Sequence, residues 1–233
     1  MAQKWKIFID SFIVYEGYKD VLKGLETTVF IALSGLIIGI LLGTLVAVIK
    51  TIPYKNKFEK VLEFIGNIYV WLFRGTPIVV QLLLIYYVAL PLMHVRLNSI
   101  YVAIITYGLN SGAYVSEIMR GGLLSVDRGQ FEAGRALGLG YAKTMLLIVV
   151  PQAIKNIIPT LGNELITLLK DTSVVSFIAV TDLTKAFQSI AGSNYEYIIP
   201  YIILAIIYLL MVAIVTLIVK LVERRFRKSD RSK

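Results

Sequence analysis

Three ionisable residues, Arg74, Glu164 and Asp171, lie in or beside long apolar runs. A charge in such surroundings is expensive and usually serves a function or is paired. Glu164 and Asp171 are two helical turns apart on one face, so they could receive an ammonium or a guanidinium group. Two interpretations remain open, a binding site for a zwitterion or cation near the bilayer midplane and a structural ion pair between Arg74 and Glu164.

The sequence Arg74-Gly75-Thr76-Pro77 interrupts one apolar run and predicts a broken helix. Gly75 allows the chain to turn, and Pro77 suits the first turn of a new helix. A helix that begins at Thr76-Pro77 would offer free backbone N–H groups and a positive dipole end to a carboxylate, and Arg74 would reinforce this. Asn110 is expected at a similar depth, where it could donate or accept a hydrogen bond. The predicted substrate site is therefore Arg74, Gly75, Thr76, Asn110, Glu164 and Asp171.

We find no motif for catalysis or nucleotide hydrolysis. Residues 138–144 are superficially similar to a phosphate-binding loop, but Leu137 and Ala142 stand where glycines are needed. With one histidine and no cysteine, a metal-ligand cluster is not expected, and we interpret His94 as a solvated loop residue. The chain is thus predicted to be no enzyme and to hold no metal or cofactor, so uphill transport would need an ion gradient or another subunit.

Composition places these residues in a membrane. Of 233 residues 57% are hydrophobic, and the mean hydropathy is +0.75. Several runs approach the roughly 20 apolar residues that cross a bilayer, which indicates an all-α integral membrane protein. The net charge of +9 comes from cations at the ends of apolar runs. This pattern is typical of membrane topology and does not require a nucleic-acid partner.

Five transmembrane helices are predicted. The first covers about residues 27–49 and carries a stripe of small residues suited to close helix packing, Gly35, Gly39, Gly43 and Ala47. The second, 61–92, is discontinuous, and the third, 100–119, has one polar face that should look inward. The fourth begins after Pro151 and ends near Asp171, and the fifth covers 197–222. Residues 174–190 are expected to form an external re-entrant or interfacial piece.

The predicted domains are an interfacial amphipathic segment (1–26), a transmembrane domain (27–222) with a cytoplasmic loop at 121–151, and a basic tail (223–233). Lysine and arginine number four, four and seven in residues 50–60, 120–143 and 220–233. This excess predicts an external N-terminus and a cytoplasmic C-terminus.

The cytoplasmic loop contains a family motif. Glu132-Ala133-Gly134, three residues, Gly138, nine residues and Ile148-Val149-Val150-Pro151 together resemble the "EAA" loop of ATP-binding-cassette (ABC) importer permeases. Gly134 departs from the usual alanine and Val150 from the usual leucine. Glycine in place of alanine could loosen a helix by up to about 1 kcal/mol.

Four further segments are similar to the polar-amino-acid uptake branch of that family: residues 73–77 with Gln81, 113–122, 129–132 and 169–173. The resemblance implies a type I (MetI-like) permease fold and a dimer, either of identical or of different permease subunits. It also implies a pair of ATPase subunits that bind ATP and Mg, and an extracytoplasmic amino-acid-binding protein. The predicted coupling residues are Arg128, Glu132, Ala133, Gly134, Arg135 and Gly138.

These observations predict a permease subunit in a bacterial inner membrane, surrounded by lipid, that imports polar amino acids by alternating access. The intramembrane carboxylates favour a basic substrate, and glutamine or glutamate is the alternative within the same family. A proton-coupled secondary transporter is the alternative from another class, although such folds often show internal repeats and this sequence shows none. A membrane scaffold would leave the broken helix and the intramembrane charges unexplained.

Overall fold

The computed structural model describes residues 2–53 and 56–231, with side chains as far as residue 225. Lys55 and the last two residues of the predicted basic tail lie outside the described residues. The described residues form helices joined by short turns, without strands. Nine helices follow one another: α1 (Ala2–Ile9), α2 (Gly17–Thr51), α3 (Lys57–Gly75), α4 (Ile78–Leu92), α5 (Ser99–Leu124), α6 (Arg128–Ala136), α7 (Tyr141–Ile178), α8 (Leu183–Asn194) and α9 (Ile198–Arg231).

Helix starts follow local capping chemistry. The Asn56 side chain accepts a hydrogen bond from the Glu59 backbone N–H at 2.8 Å, and the Glu59 carboxylate accepts one from the Asn56 N–H at 2.9 Å. This capping box begins α3. Asn98, Asp127 and Asp182 cap α5, α6 and α8 in the simpler way, through a side-chain oxygen. Each cap satisfies backbone N–H groups that the helix itself leaves unpaired.

A π-helical segment, Asp10–Val14, follows α1 directly. Two further π-helical turns occur inside helices, each two residues before a proline. They are Ile85–Ala89 before Pro91 and Met145–Val149 before Pro151. Proline has no N–H, and its ring clashes with the carbonyl four residues earlier, so the wider π turn relieves both problems. The helix therefore passes through Pro151 without ending. α7 begins at Tyr141, ten residues before Pro151, so the helix starts earlier than the predicted fourth membrane region, whose boundary stays a prediction.

The first predicted span is likewise part of a longer helix, and the point at which it enters the membrane stays a prediction. α2 begins at Gly17, and the predicted boundary between residues 26 and 27 falls inside one continuous helix. Residues 17–26 contain four charged side chains, which hid the helix from a search for apolar runs. The segment predicted as external, 174–190, consists of a 3-10 turn, Thr172–Ile178, followed by most of α8.

Close packing of α2 on α5 forms the centre of the bundle. A Cβ atom added at Gly35, Gly39 or Gly43 would lie within 3.0 Å of Tyr107, Ser111 or Val115, respectively. The predicted small-residue stripe is therefore confirmed as a close-packing surface, and its partner is α5 of the same chain. The main core surrounds this contact, with Ile31, Leu82, Val102, Leu168 and Val175 among its buried residues.

A second apolar cluster joins α1 to α8 and α9. It contains Phe8, Val21, Phe187, Ile190 and Ile199. We call this end of the bundle the α8 end and the opposite end, where α6 lies, the α6 end.

Three helices are long and apolar enough to span a membrane, namely α2, α7 and α9, and the bent pair α3–α4 makes a fourth candidate among the described residues. α5 has 26 residues and is therefore about 39 Å long, which also suffices for a crossing. Its polar residues lower its mean hydropathy. Half of the residues of this helix are buried inside the protein, where polar side chains do not face lipid. Counting α5 gives the predicted five crossings, and this number stays a prediction.

Candidate functional site

The break between α3 and α4 is confirmed as a discontinuous helix, with a bend of 110°. Thr76 and Pro77 are extended, with ψ angles of 146° and 139°. The side-chain amide of Gln81 holds the two halves together. Its Nε2 atom donates to the carbonyl of Phe73 at 2.8 Å and to the carbonyl and hydroxyl oxygens of Thr76 at 2.9 Å each. Gln81 thus satisfies carbonyl groups that the end of α3 leaves free.

Asn110 on α5 extends this network. Its Nδ2 atom donates to Gln81 Oε1 at 2.9 Å and to the Phe73 carbonyl at 3.3 Å, and the residue is only 6% exposed. Asn110 is therefore engaged with the helix break, and its role in substrate binding stays a prediction. Sequence reasoning placed Gln81 in a family motif without a structural role. The signal in the sequence that could have indicated this role is an amide side chain within an apolar run, four residues after Pro77.

Arg74, Gly75 and Thr76 are exposed at the break. The guanidinium carbon of Arg74 lies 5.4 Å from the ring centroid of Tyr114, which is a cation–π distance. Both residues line a cavity of about 460 Å³ at the α6 end, together with Glu117, Asn156 and Thr160. Among the described residues, no ion pair joins Arg74 to Glu164, so the alternative of a structural pair between them was wrong.

Glu164 and Asp171 both lie on α7 but differ in exposure. Glu164 is buried, and Asp171 is half-buried. The backbone carbonyl of Asp171 accepts a hydrogen bond from the buried Tyr107 hydroxyl, which fixes the end of the α-helical part of α7 against α5. The structure therefore divides the predicted substrate residues into a group at the break and a pair on α7.

One face of α7 is polar and exposed between residues 156 and 170. Its residues recur at alternating steps of four and three: Asn156, Thr160, Asn163, Thr167 and Lys170. Side chains of this kind are costly against lipid and normally face a water-filled cavity or another polypeptide. We call these five residues the polar stripe. The spacing of these residues follows a heptad, and this is the signal by which the stripe could be found in the sequence.

A charge cluster connects α2 to α5 near the cavity. Lys50 Nζ lies 2.6 Å from Glu117 Oε1, and Arg120 Nη2 lies 2.7 Å from Glu117 Oε2. The Glu117 carboxylate therefore bridges the end of α2 to the last turns of α5. The polar face predicted for α5 is thus used in two ways. Tyr107, Asn110 and Ser111 are buried in the bundle, while Tyr114 and Glu117 reach the cavity.

The predicted coupling segment forms the short helix α6, which begins when the Asp127 carboxylate accepts a hydrogen bond from the Gly129 N–H at 2.7 Å. Four of the predicted coupling residues on α6 are exposed: Arg128, Glu132, Ala133 and Arg135. Gly134 is instead buried against α7. It therefore faces its own chain and does not lie on the outer surface, where the resemblance placed it.

The turn after α6 is closed by local hydrogen bonds. Gly138 has a φ angle of +82°, a left-handed conformation that glycine adopts without strain. The Leu139 N–H donates to the Gly134 carbonyl at 3.2 Å, and Arg135 Nη1 donates to the Leu139 carbonyl at 2.8 Å. The first bond satisfies a carbonyl group at the end of α6, and the second holds the turn that follows. Gly138 thus terminates the helix, and its role in coupling stays a prediction.

Known proteins similar to this chain are amino-acid permeases. The chain is 38% identical over 210 residues to the arginine transport system permease protein ArtQ of Bacillus subtilis, covering 90% of this chain and 94% of that protein. It is 34% identical over 208 residues to the glutamine transport system permease protein GlnP of Escherichia coli, covering 88% and 92%.

Solved structures agree on the fold. A crystal structure of an amino acid ABC transporter with histidines matches with a TM-score of 0.84 and 37% identity, covering 93% of this chain and 98% of that chain. The inward-facing methionine transporter MetNI matches with a TM-score of 0.72 at 17% identity, covering 88% and 95%, and this match concerns the fold alone.

The family described as "binding-protein-dependent transport system inner membrane component" matches residues 21–228, nearly the whole chain. This span includes the broken helix, the polar stripe and α6. The type I importer permease fold predicted from the sequence is confirmed by both structural matches. The chain belongs to this family and is an inner-membrane permease of the amino-acid ABC importers.

Proposed function

We propose that this permease imports basic amino acids by alternating access, driven by two ATPase subunits that bind ATP and Mg beneath it. An extracytoplasmic binding protein would deliver the substrate, and a second permease subunit would complete the path. The observation that carries the proposal is the exposed polar stripe of α7, adjacent in sequence to Glu164 and Asp171. A row of polar side chains that the single chain leaves uncovered fits a hydrated path enclosed by a second subunit.

The same proposal orients the chain. The α6 end carries Lys50, Arg120, Arg128 and Arg135, and cationic residues favour the cytoplasmic side. We therefore propose an external N-terminus, with α6 exposed to the cytoplasm where an ATPase could dock. The exposed outer face of α6 supports this contact, since Glu132 and Arg135 offer charges of both signs to a partner.

The charge of α7 favours one class of substrate. Two carboxylates on α7 could attract a guanidinium or ammonium group, which favours a basic amino acid over a neutral one. Relatives do not decide the matter, because ArtQ is named for arginine and GlnP for glutamine at similar identity. Glutamine or glutamate therefore remains the second candidate. A proton-coupled mechanism fits poorly with a family described as binding-protein-dependent.

The test is uptake of labelled arginine into liposomes that contain the permease, its ATPase and its binding protein. We expect Glu164→Gln combined with Asp171→Asn to raise the arginine concentration needed for half-maximal uptake at least about tenfold, equivalent to about 1.4 kcal/mol. Glu26→Gln, which neutralises an exposed carboxylate at the α8 end, is the matched control. Unchanged arginine uptake by the double variant would remove the basis for a basic cargo.

Coupling is tested separately by Glu132→Arg. This reversal on the outer face of α6 should reduce co-purification of the ATPase and abolish ATP-dependent uptake. If both association and uptake survived, the assignment of α6 as the docking helix would fail. Uptake driven by a pH gradient without the ATPase would favour the secondary-transporter alternative.

A further inference from the structure

Gly134 is the only buried residue of α6, a helix whose residues are all described. A Cβ atom added there would lie 2.7 Å from Ile148 Cδ1 and 2.7 Å from Thr144 Cγ2. Carbon atoms normally approach to about 3.5–4.0 Å. Ile148 Cδ1 is the end of a side chain that can move, but Thr144 is β-branched and fully buried. An alanine at this position would therefore push α6 away from α7 by about 1 Å.

The two residues that Gly134 contacts belong to the first turns of α7. Thr144 is fully buried, and its hydroxyl donates to the Gly140 carbonyl at 3.1 Å. Ile148 lies in the π turn that precedes Pro151. We call the contact of Gly134 with Thr144 and Ile148 the seat of α6. It lies where α7 accommodates Pro151, a position at which local sterics already fix the backbone.

Other contacts attach α6 to the same helix. The rings of Phe131 and Tyr141 meet edge to face, with centroids 5.6 Å apart. Gln152 Nε2 donates to Gln130 Oε1 at 3.2 Å. α6 is therefore held on α7 by side-chain packing at several places and does not depend on the 137–140 turn alone.

We propose that Gly134 is a positioning residue for coupling between the ATPase and the transport path. Because Gly134 lacks a side chain, α6 packs directly on Thr144 and Ile148. This contact sets the distance of the outer face of α6 from α7 and makes the two helices move as one body. Since α7 also carries the polar stripe, a displacement of α6 reaches the path through this contact. The inference rests on the proposed function, in which α6 receives the ATPase. It assigns to the departure from the usual alanine a steric role that the family motif does not predict.

The experiment removes the two atoms that an alanine would approach most closely, Ile148 Cδ1 and Thr144 Cγ2. Gly134→Ala should lower arginine uptake per ATP hydrolysed at least about fivefold. Ile148→Val deletes Cδ1, and Thr144→Ser deletes Cγ2 while keeping the hydroxyl that bonds Gly140. Adding both changes to Gly134→Ala should restore coupling to within about twofold of the parent protein. The Thr144→Ser and Ile148→Val pair without Gly134→Ala measures the effect of the two deletions alone.

A matched control is Gly140→Ala in the same turn. A Cβ at Gly140 meets nothing within 4 Å, and its φ angle of −66° suits alanine, so coupling should not change. If Gly134→Ala behaved like this control, the inference would be wrong. A loss of coupling that the two deletions did not rescue would also overturn it, because the effect would then not act through the seat.

A second measurement is independent of transport. The chain has no cysteine, so spin labels at Ala136→Cys and Leu146→Cys, both exposed positions, would report the α6–α7 distance without interference. Gly134→Ala should increase this distance by about 1 Å. The triple variant, which adds Thr144→Ser and Ile148→Val, should restore the distance of the parent protein. An unchanged α6–α7 distance in Gly134→Ala would refute the proposal that Gly134 sets the position of α6. Absence of ATP-dependent uptake by the parent complex would instead count against the proposed function, and the spin-label distance would still decide the role of Gly134.

Discussion

Gln81 holds the break between α3 and α4, so removal of its amide should destabilise the protein and disturb the transport path. The substitution Gln81→Leu keeps the approximate volume of a side chain that is 5% exposed. It removes the donor to Phe73 and Thr76 and the acceptor for Asn110. Because Asn110 still reaches the Phe73 carbonyl at 3.3 Å, that oxygen keeps one partner.

The magnitude follows from the number of bonds lost. The Gln81 amide has two hydrogens, which three contacts share, and its oxygen accepts one further bond. Three effective hydrogen bonds at about 0.5–1.5 kcal/mol each would give about 1.5–4.5 kcal/mol in water. Side-chain hydrogen bonds within membrane proteins average only about 0.6 kcal/mol, so we expect a loss near the lower end, about 2 kcal/mol.

The assay is reversible denaturant unfolding of the purified permease in detergent, with Asn110→Leu and the double variant completing a mutant cycle. The two residues share a 2.9 Å bond, so a coupling energy of about 0.5–1.5 kcal/mol is expected. An unfolding free energy within about 0.5 kcal/mol of the parent for Gln81→Leu would refute this reasoning. Uptake distinguishes the roles of Asn110: a substrate ligand would change the half-saturating concentration, whereas a purely structural role would lower the maximal rate for every substrate.

Two further predictions concern packing and pH. Gly39→Ala should lower the unfolding free energy by about 1–3 kcal/mol by overpacking the α2–α5 contact, whereas Gly121→Ala, where a Cβ meets nothing within 4 Å, should raise it by up to about 1 kcal/mol. Lys4 lies 2.9 Å from Glu196 and lowers the pKa of that carboxyl, so the contact should stabilise α1 above the ordinary pKa of a glutamate and weaken as the pH falls below it. Fluorescence of Trp5 in a Trp71→Phe background would report the release of α1.

The outcomes that contradict these two predictions are simple to recognise. Equal destabilisation by both glycine substitutions would mean that the loss of stability does not come from the α2–α5 contact. For the ion pair, Glu196→Gln should remove the acid transition of Trp5, and an unchanged transition would assign it to another group.

Sequence patterns alone established the class, the family and the broken helix of this protein. Apolar runs bounded by lysine and arginine indicated a membrane protein because hydrocarbon excludes charge. Arg74-Gly75-Thr76-Pro77 predicted the break because proline and glycine act on the backbone directly, without help from distant residues. The segment from Glu132 to Pro151 indicated a type I importer permease, and the family and structural matches confirmed it.

Only the tertiary structure decided what the polar residues contact. Asn110 and Glu117 both belong to the polar face predicted for α5, yet one supports the helix break and the other joins α2 to α5. Gly134 was placed on the docking surface by its motif, but packing turned it toward Thr144 and Ile148. Helical spacing says which side chains share a face, and it cannot say which neighbour covers that face, because the neighbour comes from elsewhere in the chain.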